Sequence, residues 1–244
     1  MKVALVTGAS RGIGAEISVA LAQNGYDVAI TSRNKNHLHN TEQSISLSGR
    51  SVYLVSMDLT EIEDIPHIID KIENEFGPIE LLINNAGVNL PRAALDLSIA
   101  EWDEVLDTNL RGLFFFSQAV ARYMIKRKNG NIINISSAAG LRATRDRAHY
   151  GSSKGGLNSL TKNLALEWAQ YNITVNAIAP TFVQTELSEK TLSNPKLRSY
   201  YLEQIPLGRF ATMQDITNAV IFLASPLSRF ITGIVLPVDG GFHL

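Results

Sequence analysis

Val3-Ala4-Leu5-Val6-Thr7-Gly8-Ala9-Ser10-Arg11-Gly12-Ile13-Gly14 stands almost at the start of the chain. Its four consecutive apolar residues read as a short buried strand. The glycines that follow permit a tight turn and close approach of the backbone to a partner. From Gly14 to about Asn24 the pattern becomes helical. The amino end of such a helix offers unpaired N–H groups and a positive dipole to an anion such as pyrophosphate. The spacing is G-x-x-x-G-x-G, not the dinucleotide fingerprint G-x-G-x-x-G, and no Gly-Lys-Ser/Thr of a Walker loop follows. A strand before the turn and a helix after it favour a nucleotide site over a plain turn. Gly8, Ser10, Arg11, Gly12, Ile13 and Gly14 are therefore candidate cofactor contacts.

Outward from this stretch, apolar or β-branched runs recur at Val28 to Thr31, Val52 to Val55, Leu81 to Ile83, Ile132 to Ile135, Thr174 to Ile178 and Ile234 to Val238. Amphipathic stretches begin between them, near Asn36, Glu61, Ala100, Tyr150 and Met213. Continuously apolar strands separated by helices imply a parallel sheet covered on both faces. The expected fold class is α/β, a doubly wound Rossmann fold of one domain over residues 1–244. No Pro/Gly/Ser-rich linker or charge block divides it. In such a fold the ligand lies beyond the carboxyl ends of the strands, at a switch point in strand order.

Composition narrows the function classes. The chain has 244 residues, 45% of them hydrophobic, and a formal net charge of -1. That balance gives no overall attraction to nucleic acid or to an anionic membrane, so neither is expected as a partner. With no cysteine there is no disulfide framework, thiolate nucleophile or cysteine zinc site. No apolar run approaches the roughly 18 residues of a membrane span. The run after Lys2 is too short for a signal peptide and ends in the glycine turn, so a cytoplasmic protein is expected. His37 and His39, at i and i+2, do not share a helix face, and no metal site is expected.

The residues that follow the other strands extend the nucleotide reading. Strand two ends in Thr31-Ser32-Arg33, where an NAD-type site would usually place an acid for the ribose 2′-hydroxyl. A hydroxyl at Ser32 and guanidiniums at Arg33 and Arg11 suit a 2′-phosphate instead, so NADP(H) is preferred and NAD(H) remains possible. Asp58, with Leu59 beside it, is placed after strand three to accept from an adenine amino group or to cap a turn. Asn84-Asn85-Ala86-Gly87 sets two amides and a glycine where a cofactor ribose would pass. Trp102, Phe114, Phe115 and Phe116 read as core or subunit-contact residues, and Asn109 is a polar residue within this long helical, apolar stretch.

Tyr150 and Lys154 lie four residues apart at the start of a helical pattern, hence on one face with Cβ atoms about 5–6 Å apart. A cation beside a phenol brings its pKa down toward the working range. Ser137, at the end of the Ile132 to Ile135 run, would present a hydroxyl to a carbonyl oxygen. Together they propose carbonyl/alcohol chemistry.

In their joint order, Thr7-Gly8-x-x-x-Gly12-x-Gly14, Asn84-Asn85-Ala86-Gly87, Asn109, Ser137, Tyr150-x-x-x-Lys154 and Val238-Asp239-Gly240-Gly241 resemble the classical short-chain dehydrogenase/reductase family. The resemblance runs from Lys2 to Gly241. It implies a seven-stranded parallel sheet with three helices on each side, and self-association as a dimer or tetramer, the tetramer being expected here. It implies that Tyr150 donates the proton in reduction and accepts it in oxidation, that Lys154 lowers its pKa and bonds the nicotinamide ribose, and that Ser137 holds the substrate oxygen. Asn109 would position a water relaying protons through Lys154, and Asn85, Ala86 and Gly87 would line the cofactor channel. Thr185, after Pro180, would bond the nicotinamide carboxamide beside the Val183 backbone. Thr181 departs from the family, which usually has glycine there, and leaves the local loop conformation open.

The resemblance implies a small carbonyl/alcohol compound as the substrate. By overall likeness the nearest subgroups are the 3-oxoacyl-acyl-carrier-protein reductases, taken first, and the gluconate or sugar dehydrogenases. Arg142, Arg145, Arg147 and His149 against one Asp146 could hold a carboxylate or phosphate, or make subunit contacts, and Arg92 faces the same choice. Lys126, Arg127 and Lys128 offer part of a basic docking face, while Tyr171-Asn172 replaces an arginine that the bacterial fatty-acid reductases tend to carry. Glu186 to Leu207, with Leu187, Leu192, Tyr200 and Tyr201, resembles the family's lid. A nucleotide sensor on the same fold is the alternative to an enzyme.

Overall fold

A computed structural model describes residues 2–183, 188 and 192–244. Among these, the strands are β1 (Val3–Val6), β2 (Asp27–Ser32), β3 (Val52–Ser56), β4 (Ile79–Asn84), β5 (Gly130–Ile135), β6 (Ile173–Pro180) and β7 (Val235–Val238). They form one parallel sheet in the order β3-β2-β1-β4-β5-β6-β7. Buried residues fill both sides of the central strands, which is why those runs carry almost no alternation.

Helices α1 (Gly12–Gln23), α2 (His39–Ser46) and α8 (Met213–Ala224) cover one face around Ile17, Leu21, Ile45 and Val220. Helices α3 (Ile65–Glu75), α5 (Leu113–Arg127) and α6 (Ala148–Trp168) cover the other around Ile69, Ile72, Phe116, Val120 and Leu164. Each fully buried Ile, Leu or Phe contributes about 1.5–3 kcal/mol relative to exposure. Two further short α-helices lie among the described residues, α4 (Ile99–Leu106) and α7 (Pro195–Glu203).

The long helical stretch from Ala100 toward Lys128 is not one α-helix. Between α4 and α5 the backbone takes a π-helical path over Asp107–Gly112. The extra residue per turn turns Asn109 inward, where it is fully buried. Gly112, at the end of the segment, touches the loop after β3 so closely that a Cβ would fall 2.2 Å from the Leu59 carbonyl oxygen.

The strand order reverses between β1, which runs on toward β2 and β3, and β4, which runs on toward β5 to β7. The loops leaving β1 and β4 therefore part at the carboxyl edge of the sheet, and a cleft opens there. Arg127 and Lys128 lie at the opposite edge, where α5 hands over to β5. Arg127 is also tied to Glu73 at 2.6 Å and to the Ile79 carbonyl at 2.9 Å. Within this chain the basic run lies away from the cleft and forms no docking face at its mouth.

Candidate active site

Thr7 joins the two diverging loops. Its hydroxyl oxygen accepts from the N–H groups of Asn85 and Ala86, both at 3.0 Å. The Asn85 amide returns to the Thr7 and Gly8 carbonyls at 3.0 Å each. Gly8, at φ +65°, packs so close to Ala86 that a Cβ would lie 2.8 Å from its Cα. At Gly14 a Cβ would lie 2.4 Å from the Gly8 carbonyl oxygen. The glycines are thus required by contact between loops as well as by the turn. The side chain at the N-cap of α1, Arg11, makes no capping bond, so the first N–H groups of the helix are left facing the cleft.

The cleft has a volume of about 630 Å³ and gathers residues from every strand end of the site half. Ser10, Arg11, Gly12 and Ile13 line it, together with Ser32, Arg33, Asp58 and Leu59. Arg33 is exposed and makes no ion pair among the described residues. The Ser32 hydroxyl donates to the Asn34 carbonyl at 2.6 Å, and must rotate before it can donate to a phosphate. One Asp58 oxygen accepts from the Thr60 N–H and hydroxyl at 3.0 and 2.8 Å, so this residue is a turn aspartate whose other oxygen remains available.

Asn85, Ala86 and Gly87 line the middle of the cleft, and Ser137, Tyr150, Lys154, Pro180 and Val183 its far end. Thr185, with Glu186 and Leu187 of the anticipated lid, lies outside the described residues. Thr181 is accommodated without left-handed backbone, since Lys128, Asp146 and Asn172 are the described non-glycine residues at positive φ. Asn172 uses that conformation to end the 3-10 turn after α6.

Lys154 is buried, and its Nζ donates to the Ile135 carbonyl at 2.8 Å. It lies 5.9 Å from the Tyr150 ring centre. Burial pushes its pKa down from 10.5 to about 8. Burial likewise raises the Tyr150 phenol above 10, against smaller opposing effects of the Ser137 hydroxyl, its hydrogen-bond partner, and the Arg147 charge. The expectation that Lys154 brings this phenol down is therefore not met by the protein alone. Desolvation dominates, and one of the three donors of the ammonium is taken by a backbone carbonyl.

Asn109 stands behind the cleft wall and does not line it. Its Nδ2 donates to the Val88 carbonyl at 2.9 Å and to Ser153 Oγ at 3.2 Å, while Oδ1 accepts from the Val88 N–H at 2.8 Å. The side chain is a brace between the β4 loop and α6. Deeper still, Asn84, Ser117, Asn134 and Thr161 form a buried ladder of bonds between 2.8 and 2.9 Å from α5 through β4 and β5 to α6.

The arginines of the loop before α6 separate. Arg145 and Arg147 line the cleft. Arg142 does not: it is bonded to the Phe242 carbonyl, reaches Gln204 Oε1 at 3.2 Å and stacks 4.4 Å from the Phe242 ring centre. It pins the chain's last residues, and its candidacy as a substrate contact is withdrawn. Arg92 is also structural, held by Glu101 at 2.7 Å. His149 is fully buried in the first turn of α6 and does not reach the cleft.

Residues that pattern reading missed include Ser136 and Asn158, which tie the Ser137 loop to α6, and Phe242, which reaches the cleft from a distant segment; Tyr201, anticipated as part of the lid, also lines the cleft. Asn158 carried a readable signal, since Tyr150, Lys154 and Asn158 follow one helix face at i, i+4 and i+8. Phe242 carried none, because its place depends on how the chain end folds back.

A doubly wound sheet with a glycine-lined cleft at its switch point and a Ser-Tyr-Lys group at one end defines a dinucleotide-binding α/β protein. Over residues 8–243 the chain matches the family described as Enoyl-(Acyl carrier protein) reductase. It is 38% identical to the 3-oxoacyl-[acyl-carrier-protein] reductase of Staphylococcus epidermidis, over 100% of this chain and 99% of that protein. It is 35% identical to the gluconate 5-dehydrogenase of Gluconobacter oxydans, over 98% and 93%. The crystal structure of a gluconate 5-dehydrogenase from Burkholderia cenocepacia in complex with NADP and tartrate superposes with a TM-score of 0.95 at 34% identity, covering 99% of this chain and 94% of that one. The chain belongs to the short-chain dehydrogenase/reductase family of oxidoreductases.

Proposed function

We propose that this protein is an NADP(H)-preferring oxidoreductase that interconverts a carbonyl and a secondary alcohol. The observation that carries the reading is the meeting of Ser137, Tyr150 and Lys154 at one end of a cleft whose other end holds Arg33 and the open amino end of α1. The residues fit the cofactor: the Gly8, Gly12 and Gly14 turn with the α1 N–H groups would hold its pyrophosphate, Arg33 and Arg11 its 2′-phosphate, and Lys154 its nicotinamide ribose. When bound, that group supplies or takes up the hydride.

The chain's own groups supply the rest. Ser137 holds the substrate oxygen by hydrogen bond. Tyr150, a phenol and therefore protonated near neutrality, donates a proton to that oxygen in reduction and takes one back in oxidation. Lys154 stabilises the phenolate that results, and Asn109 braces the wall behind them. Orientation and charge stabilisation are the protein's contribution.

A 3-oxoacyl thioester is the first substrate class, on the strength of the acyl-carrier-protein reductase relatives. A hydroxylated acid is the second, and a specific observation favours it. Asn89 Oδ1, Thr144 Oγ1 and Thr181 Oγ1 are buried oxygens with no hydrogen-bond partner, all on residues that line the cleft with Arg145. Substrate hydroxyls and a carboxylate would satisfy them.

Homo-oligomerisation belongs to the same reading. An apolar groove crosses Leu106, Leu110, Phe114 and Leu160, and Leu227, Phe230 and Leu244 stand fully outward elsewhere. A second copy of the chain is the occupant we infer, in a tetramer, with a cytoplasmic location. Among the described residues no helix is long and apolar enough to cross a membrane.

The test is absorbance at 340 nm with NADPH and NADH in parallel, against acetoacetyl thioesters, 5-ketogluconate and related keto-sugars, with the alcohols in reverse. Turnover lost in Tyr150→Phe while NADPH binding persists supports the enzyme reading. Full turnover in that variant refutes it.

A further inference from the structure

Tyr150, Lys154 and Asn158 fall on one face of α6, at successive turns. The first two reach the cleft; Asn158 does not. It is 7% exposed and fully engaged. Its Oδ1 accepts from the Ser136 hydroxyl at 2.6 Å, and its Nδ2 donates to the Gly140 carbonyl at 3.0 Å.

Ser136 and Gly140 flank Ser137, whose loop leaves β5 and turns through a short 3-10 helix at Ala138–Gly140. The loop meets α6 along its length. Ile135 is held by Lys154 Nζ at 2.8 Å. Gly140 lies so close to the helix that a Cβ would fall 2.7 Å from the Lys154 carbonyl carbon and 2.9 Å from Asn158 Nδ2. The single amide of Asn158 thus grips the loop on both sides of the residue that must face Tyr150. The Ser136 bond is buried and the Gly140 bond partly so, and removal of one member leaves the other unpaired.

We propose that Asn158 is a positioning residue of the active site, setting the distance and angle of the Ser137 hydroxyl to the Tyr150 phenol. It acts through Ser136 and Gly140 and touches neither substrate nor cofactor. The inference rests on the reading of Ser137, Tyr150 and Lys154 as the reacting groups. Because a hydrogen bond to a reacting oxygen loses its value within a fraction of an ångström, loosening the loop affects the chemical step more than binding.

Asn158→Leu removes both bonds at nearly constant volume, and Ser136→Ala removes one of them. With NADPH and acetoacetyl-CoA, or 5-ketogluconate if the thioester is not reduced, Asn158→Leu is expected to lower kcat by about 30-fold or more. Its Kd for NADPH, read by fluorescence, stays within about twofold. Ser136→Ala is expected to lower kcat about 5-fold, and the double variant to lose no more than Asn158→Leu alone, since the two share one tether. A kcat within about threefold of wild type in Asn158→Leu overturns the proposal. So does a loss of NADPH affinity in step with kcat, which a general loosening of the fold would give. If Asn158→Leu fails to fold, Ser136→Ala decides, and an unchanged kcat there overturns it. Tyr150→Phe, run alongside, separates the two claims: its full activity sinks the catalytic assignment itself, while its inactivity beside an unaffected Asn158→Leu sinks only the tether.

Discussion

Lys154 is 4% exposed, and burial lowers the pKa of its ammonium from 10.5 to about 8. Below pH 8 the folded and unfolded chains both hold this proton, and the folded one bears the cost of a buried charge. Between pH 8 and 10 the unfolded chain binds more protons, so the Lys154 contribution makes stability rise with pH across that window. Above 10, the raised Tyr150 pKa acts in the opposite direction, because the unfolded phenol ionises first. At about 1.4 kcal/mol per pH unit the full Lys154 cost is on the order of 3 kcal/mol. Lys154→Met should abolish turnover and yet raise the unfolding free energy at pH 7 by about 2 kcal/mol, after loss of its bond to Ile135. Urea titrations at pH 7 and 9 check both the gain and the disappearance of the pH dependence. At the other end of the cleft, Arg33→Ala should weaken NADPH about 10- to 100-fold and leave NADH within about twofold. Equal losses for the two cofactors in parallel titrations would show that Arg33 does not read the 2′-phosphate. Both residues were legible from their places after a strand and in a helix turn. Arg142 was misread because nothing local shows that a loop arginine will find the Phe242 carbonyl a hundred residues away.

The π-helical segment Asp107–Gly112 carries most of what the middle of the chain does for the site. It directs Asn109 into the wall, and it brings the backbone at Gly112 against Leu59, one of the residues lining the cleft. Gly112→Ala would place a Cβ 2.2 Å from a backbone oxygen, which a flexible side chain cannot relieve. The variant should lose about 3 kcal/mol or more, seen as a large fall in urea midpoint or as insoluble protein. A stable, active Gly112→Ala would mean the segment can shift away from the β3 loop. Helical periodicity from Ala100 to Lys128 announced helix but not the bulge, since one inserted residue barely disturbs an apolar pattern. Strand centres were legible because continuous Val, Ile and Leu runs admit few other fates. Their ends moved by one or two residues with pairing across the sheet, as where β4 begins at Ile79 and β6 continues to Pro180.

For the molecule as a whole, binding and assembly act on stability by mass action. NADPH at a hundredfold excess over Kd should stabilise the fold by about 2.7 kcal/mol, or roughly 5–10 °C in Tm for a chain of this size. NADH at the same concentration should give less, and an equal shift in a thermal scan would contradict the cofactor preference. Light scattering should find a tetramer, and Leu110→Asp in the apolar groove should reduce it to smaller species. By itself, the sequence determined the doubly wound class, and it singled out the glycine turn after β1 and the Ser137, Tyr150 and Lys154 group, all of which line the cleft. These rest on local facts: uninterrupted apolar runs, glycines beside a strand, and two side chains one helix turn apart. The tertiary structure alone decided which arginines meet the cleft, how burial sets the pKa values of Tyr150 and Lys154, and that Asn109 and Asn158 brace its walls. Those outcomes depend on desolvation and on contacts between segments far apart in the chain, and neither quantity exists until the sheet and its helices have packed.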